Sequence, residues 1–173
     1  MKKTIYIILI CFALLSLTVL ACVSPLFQFI YIGTTKYQVE DFDAFEEDFK
    51  ILVDFTKNYF NSQNNKVSNA IYLGYDTKSK NYTLWYDGKN IEISEELQKS
   101  LNRVKNEAFI ANLDSHLNEI AYYNDKISFE IDNGAYALVY SFDDKKPSFN
   151  TPEKTIRIHT KKIKDHWYHI FKQ

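Results

Sequence analysis

ISFEIDNGAYALVYSF, residues 127–142, reads as two strands and the turn that joins them. Ile127, Phe129 and Ile131 alternate with Ser128, Glu130 and Asp132, so in an extended chain the apolar side chains share one side and the polar ones the other. Asn133-Gly134 is the dipeptide that best tolerates the positive φ angles of a two-residue hairpin turn. Beyond it Tyr136, Leu138, Tyr140 and Phe142 alternate with Ala135, Ala137, Val139 and Ser141. Strands joined so tightly run antiparallel.

Outward from this hairpin the same signals recur. Toward the C-terminus, a polar loop at 143–154 carries Pro147 and Pro152, and strands at 155–163 and 166–171 turn at Lys164-Asp165. Toward the N-terminus, the period becomes two from Leu117, and Asn124-Asp125 ends that strand. Before it, Ser94 with Glu95 and Glu96 behind it is a helix start, a capping hydroxyl followed by acids. Leu97, Leu101, Val104 and Ala108 then recur at helical spacing to an expected end near Phe109. Earlier still, expected strands at 68–75, 82–86 and 89–93 are separated by a loop at 76–81 and an Asp87-Gly88 turn.

Ahead of these strands, Phe42, Phe45, Phe49, Leu52, Phe55 and Tyr59 step by three and four, one face of a helix between Glu40 and Phe60. Asp43, Glu46, Glu47, Asp48 and Lys50 are expected largely on its solvent side. The fold class that follows is α+β: two amphipathic helices packed on one face of a mainly antiparallel sheet, over residues 40–173. A helix followed by a strand meander is similar in layout to cystatin-like and related two-layer domains.

Residues 4–32, TIYIILICFALLSLTVLACVSPLFQFIYI, contain no Asp, Glu, Lys, Arg or His. About 20 apolar residues cover the hydrocarbon core of a bilayer as a helix, and a helix satisfies its own backbone hydrogen bonds there. The expectation is a transmembrane anchor running from about Ile5 to Val23, ended by Pro25, with Phe27, Phe29 and Tyr31 at the interface. Residues 33–39 then form a linker. Lys2 and Lys3 place residues 1–3 in the cytoplasm by the positive-inside bias, and the domain outside it. Val19-Leu20-Ala21-Cys22 resembles the bacterial lipobox, which implies lipidation at Cys22 as the other form of attachment. A cleaved signal peptide is the third reading, although no clear A-x-A site follows the run. A short basic start, an apolar anchor and a small exported domain look like the layout of many bacterial envelope proteins.

Both cysteines, Cys11 and Cys22, fall in the apolar run, so the domain beyond it has no disulfide and no thiol nucleophile. Removing Lys2 and Lys3 from the 21 basic residues leaves 19 against 22 acidic ones, a net charge of −3. That balance offers nucleic acid no basic stripe, so no nucleic-acid partner is expected. The expected partners are membrane lipid, through residues 4–32, and an envelope protein or ligand.

Candidate chemistry is sparse. No G-x-S-x-G elbow, H-E-x-x-H pair or phosphate-binding glycine loop is present, and no cofactor is implied. Asp114-Ser115-His116 sets a carboxylate and an imidazole on one side of a strand, which is the nucleus of a hydrolytic alternative. His159 and His166 could meet across the final hairpin, while His169, three residues on, faces the other way, and the expectation is surface or half-buried histidines without a metal. A zinc site needs three or four convergent ligands, and these supply at most two. Aromatic residues make up 16% of the chain, more than a small core consumes. Trp85, Tyr86 and Tyr123 are the candidate binding surface on the uncovered side of the sheet. A non-enzymatic binding domain is therefore the leading expectation. An enzyme using Asp114, His116 or the late histidines, and an immunity or accessory protein, are the alternatives.

Overall fold

The computed structural model describes residues 39, 41–63, 69–109, 117–131, 136–149 and 158–172. The expected anchor, Cys22 and the Asp114/His116 pair lie outside the described residues. Among the described residues no helix is long and apolar enough to cross a membrane.

The domain is α+β, two helices on an eight-stranded antiparallel sheet. Helix α1 spans Phe42–Ser62 and α2 spans Glu95–Arg103. The strands are β1 (Asn69–Asp76), β2 (Asn81–Tyr86), β3 (Lys89–Ile91), β4 (Leu117–Tyr122), β5 (Lys126–Ile131), β6 (Tyr136–Ser141), β7 (Ile158–Lys164) and β8 (Trp167–Lys172). In space they run β3-β2-β1-β4-β5-β6-β8-β7. After β6 the chain therefore skips one place to the far edge, and β8 returns to fill the gap. Ile131 opposite Tyr136 makes β5 and β6 the hairpin that their alternation predicts.

α1 packs along the middle of the sheet through Phe42, Phe45, Phe49, Leu52, Val53, Thr56 and Phe60, all buried. At 3.6 residues per turn the stripe drifts, so its second half runs through Val53, Thr56 and Phe60, leaving Phe55 and Tyr59 half-buried beside it. The drift also corrects the expectation for Asp48, which is buried. Its carboxylate takes a 2.6 Å ion pair from Arg103, whose other nitrogen donates to the Ala44 carbonyl at 3.0 Å. One guanidinium thus joins the two helices. Phe49 is the hub of the core, ringed by Phe42, Phe109, Phe129 and Trp167 at centroid distances of 5.2–6.1 Å.

The N-terminus of α1 lacks a side-chain cap. Lys164, from β7, instead reaches Glu46 at 2.6 Å and Asp43 at 3.0 Å. α2 starts as its sequence predicts: the Ser94 hydroxyl accepts from the Leu97 amide at 3.2 Å. Its end differs. After Arg103 the chain widens into a π turn, Val104–Ala108, before Phe109 becomes extended and bridges to Val39.

The sheet is two-sided where it is thickest. Ala137 and Val139 of β6 with Tyr168 and Ile170 of β8 form a second buried cluster on the face away from the helices, against Phe149 and Ile158. Lys126 holds residues 143–149 there. Its amine is buried, donates to the Ser148 carbonyl at 2.8 Å, and sits 4.8 Å and 4.7 Å from the Tyr123 and Phe149 rings. The face is uncovered only toward β1, β2 and β3.

Candidate functional site

Register decides what stands on that open part. The β1–β2 hairpin pairs Asp76 with Asn81, which sets Gly74 opposite Thr83 and Tyr72 opposite Trp85. Side chains directly across a strand pair share a face, so Tyr72 and Trp85 are neighbours on the side away from the helices. They are 55% and 40% exposed, among the largest apolar surfaces presented to solvent.

The nitrogen edge of the Trp85 indole leans toward Gly74 and Thr83. Its N–H donates to the Thr83 hydroxyl at 2.9 Å. A Cβ built on Gly74 would come within 2.9 Å of the indole nitrogen and 2.8 Å of the Thr83 hydroxyl oxygen. Glycine leaves the room that this edge of the ring occupies, and the rest of the side chain stays open to water. Beside it, Tyr72, Tyr86 and Tyr123 with Asp87 and Glu119 line a groove of about 380 Å³, floored by Ala70 and Ala121. Glu119 stands directly opposite both Tyr72 and Glu130. The Tyr123 phenol donates to Glu130 at 3.4 Å. Burial first, then the nearby carboxylates of Glu130, Glu119 and Asp125, push its pKa up to about 12, so it remains a donor.

The three expected surface residues are not brought together on one plane. Trp85 is exposed on the open face, whereas Tyr86, its neighbour in β2, faces the helices and packs edge-on against Tyr59 and Phe60. Tyr123 is half-buried between Lys126 and Phe149. Tyr86 and Tyr123 both border the groove, and Trp85 adjoins it through Tyr72. Tyr72 and Gly74 were missed as site residues. The signal that finds them is the four-residue loop 77–80, which fixes the hairpin register and hence the Tyr72–Trp85 pair.

The late histidines do not converge. His159 pairs with Phe171, at the opposite end of the hairpin from His166, roughly 17 Å away at 3.3 Å per residue. His159 and His166 therefore do not meet across the hairpin. The turn falls one residue later than expected, and His166 sits in it at φ 68°. There it stacks on Tyr140 and its Nδ1 is 2.7 Å from the Ser141 carbonyl oxygen. His169 is buried, with its Nδ1 in a short hydrogen bond to the Tyr136 hydroxyl. Among the described residues no group of three or more His, Cys, Asp or Glu side chains is placed to hold a metal ion.

Comparison with known protein families, with curated proteins and with solved structures finds no match to this chain.

Proposed function

We propose that this chain is a membrane-anchored, extracytoplasmic binding domain without catalytic activity, whose ligand is a polysaccharide of the cell envelope. The observation that carries the proposal is the exposed Trp85 indole, fixed through its N–H to Thr83 beside Gly74, with Tyr72 next to it. A sugar ring presents a face of C–H groups, each slightly positive, and an aromatic ring presents a negative π face. Stacking two such planes needs an exposed aromatic ring whose position is fixed, which the Thr83 hydrogen bond provides for Trp85. The hydroxyls at the edge of the sugar then need acceptors and donors. Asp87, Glu119, Asn69, Tyr72 and Tyr123 line the adjoining groove.

Attachment to the membrane rests on residues 4–32 and on Lys2 and Lys3 before them. A retained helix and a lipidated Cys22 would both tether the domain to the outer surface, and the mass of the mature protein distinguishes them. The test of ligand class uses full-length protein in lipid nanodiscs and purified envelope polysaccharide. Binding that Trp85→Ala and Tyr72→Ala each weaken by about tenfold, about 1.4 kcal/mol, supports the proposal. Equal binding by wild type and both variants refutes it. Protease added to intact cells tests the location: a domain digested only after lysis lies on the wrong side.

A further inference from the structure

A second cavity, on the helix-covered side of the sheet, has the opposite chemistry. It holds about 420 Å³ and is lined by Leu73, Tyr75, Lys80, Tyr82, Lys105 and Asn118, with Asn106 at its rim. Two irregularities of the backbone meet there. One is the π turn that carries Lys105 and Asn106. The other is the irregularity between Leu117 and Glu119 of β4, which makes Asn118 the extra residue against β5. Each costs regular hydrogen bonding, and each is a device that re-aims side chains near sites of binding.

The groups so aimed are donors. The Lys105 amine donates to the Leu117 carbonyl and lies 5.5 Å from the centre of the Tyr82 ring. That bond uses one of its three N–H groups. The Tyr82 hydroxyl donates to the Asn106 side-chain carbonyl at 2.9 Å, which points the amide N–H₂ of Asn106 away from it. Among the described residues no acid lines the cavity, and neither Lys80 nor Lys105 takes part in an ion pair. The Tyr75 and Tyr82 rings, 5.1 Å apart and tilted, form one wall. Two unmatched amines and the two amides, in a domain that is acidic overall, leave a positive charge to be met inside a half-enclosed space.

We propose that this cavity binds a small organic anion, a carboxylate or phosphate group carried on a flat ring. The Lys105 amine is its counter-charge, Lys80 closes the rim, and Tyr75 and Tyr82 hold the ring. Burial pushes the Lys105 amine down to about 8, and an anion beside it favours the charged form again. Binding near pH 8.5 therefore takes up protons. The titratable groups facing Lys105 from the β1–β2 hairpin are Lys80, Tyr75 and Tyr82, and burial raises the Tyr82 phenol away from this range.

The experiment is isothermal titration of the full-length protein in nanodiscs with benzoate, phenyl phosphate and, as the neutral analogue, benzyl alcohol. At least one anion is expected to bind about tenfold more tightly than benzyl alcohol, a gap of about 1.4 kcal/mol. Preference between the two anions identifies the headgroup. Lys105→Gln is expected to abolish both the preference and the proton uptake, measured in buffers of different ionisation enthalpy. Because Lys105 also satisfies the Leu117 carbonyl, the exposed Lys80→Glu is the second variant, expected to weaken anion binding several-fold at unchanged melting temperature. The proposal is overturned if benzyl alcohol binds as well as the anions, if neither anion binds at millimolar concentration, or if Lys80→Glu leaves anion binding unchanged.

Discussion

Lowering the pH from about 7 to 4.5 should remove stability from this domain through His169. The imidazole is buried on the core side of β8, and its Nδ1 is held by the Tyr136 hydroxyl. Burial raises the Tyr136 phenol, so Tyr136 stays the donor and Nδ1 the acceptor, the neutral form of the ring. Protonation would place a hydrogen on both partners. Burial first, and then Lys161 directly across the strand pair, push the His169 pKa from its ordinary 6.5 down to about 4. The unfolded chain therefore takes up a proton as the pH falls through 6.5, while the folded one does so only near 4. Between those values the unfolded state binds more protons, so stability falls with pH, by up to about 1.4 kcal/mol per pH unit and about 3 kcal/mol in all. Against a typical total of about 5–15 kcal/mol, that loss is easily read. Carboxylates held low by partners, such as Asp143 beside Lys145, begin to lose their contribution from about pH 5 downward, equally in wild type and variant, so the difference in slope isolates the histidine. Urea unfolding of wild type and His169→Gln at half-unit steps measures the slope. The variant is expected to be flatter between pH 6.5 and 4 whatever its absolute stability. Equal slopes, or an NMR titration placing His169 near 6.5, would refute the reasoning.

Three further predictions follow from packing. Phe49→Ala empties the hub between α1 and the sheet and should cost about 3–5 kcal/mol in chemical denaturation; a loss below about 1 would mean that α1 is not docked as described. Gly74→Ala puts a methyl group where the Trp85 indole and Thr83 lie. The indole can swing aside, so melting should change little while tryptophan fluorescence shifts and polysaccharide binding falls. An unshifted spectrum counts against the described seat of the ring. Lys126→Met keeps the bulk but removes the donor to Ser148 and the charge between Tyr123 and Phe149. It should cost about 1–3 kcal/mol and speed proteolytic cleavage within residues 143–149, as mass spectrometry of the fragments would show.

Much of the fold was legible because local chemistry and global packing agree. Ser94 with its acids begins α2, the Asp87-Gly88 turn joins β2 to β3, and the alternation at 127–142 becomes the β5–β6 hairpin. What alternation does not encode is the face opposite the helices. The unbroken apolar run from Ala135 to Tyr140 is the kind that belongs to strands covered on both sides, as β6 is, but it does not say what does the covering. The place of β8 between β6 and β7 is equally non-local, because no turn signal reports a chain that skips a position. At the site, the sequence named Trp85 but grouped it with Tyr86. Period two sends those neighbours to opposite faces, and the partner of Trp85 is Tyr72, found only by counting across the hairpin loop. The histidines failed for a similar reason: moving the turn by one residue puts His166 in the bend instead of in the ladder.

The sheet never closes on itself, and its two borders are defended in different ways. β3 offers three residues, too few to template a neighbour. β7 is long enough, but Lys161 is exposed on it while Lys162 and Lys164 are held in ion pairs with Asp144 and with Asp43 and Glu46, so an approaching copy must strip hydrated charge before it can share backbone hydrogen bonds. If the domain is tethered at high density on a membrane as proposed, such a tyrosine-rich β-protein is under pressure to zip into fibrils. The lysine-guarded border keeps such neighbours as separate molecules, and replacing those lysines with valine would be the shortest route to making them aggregate.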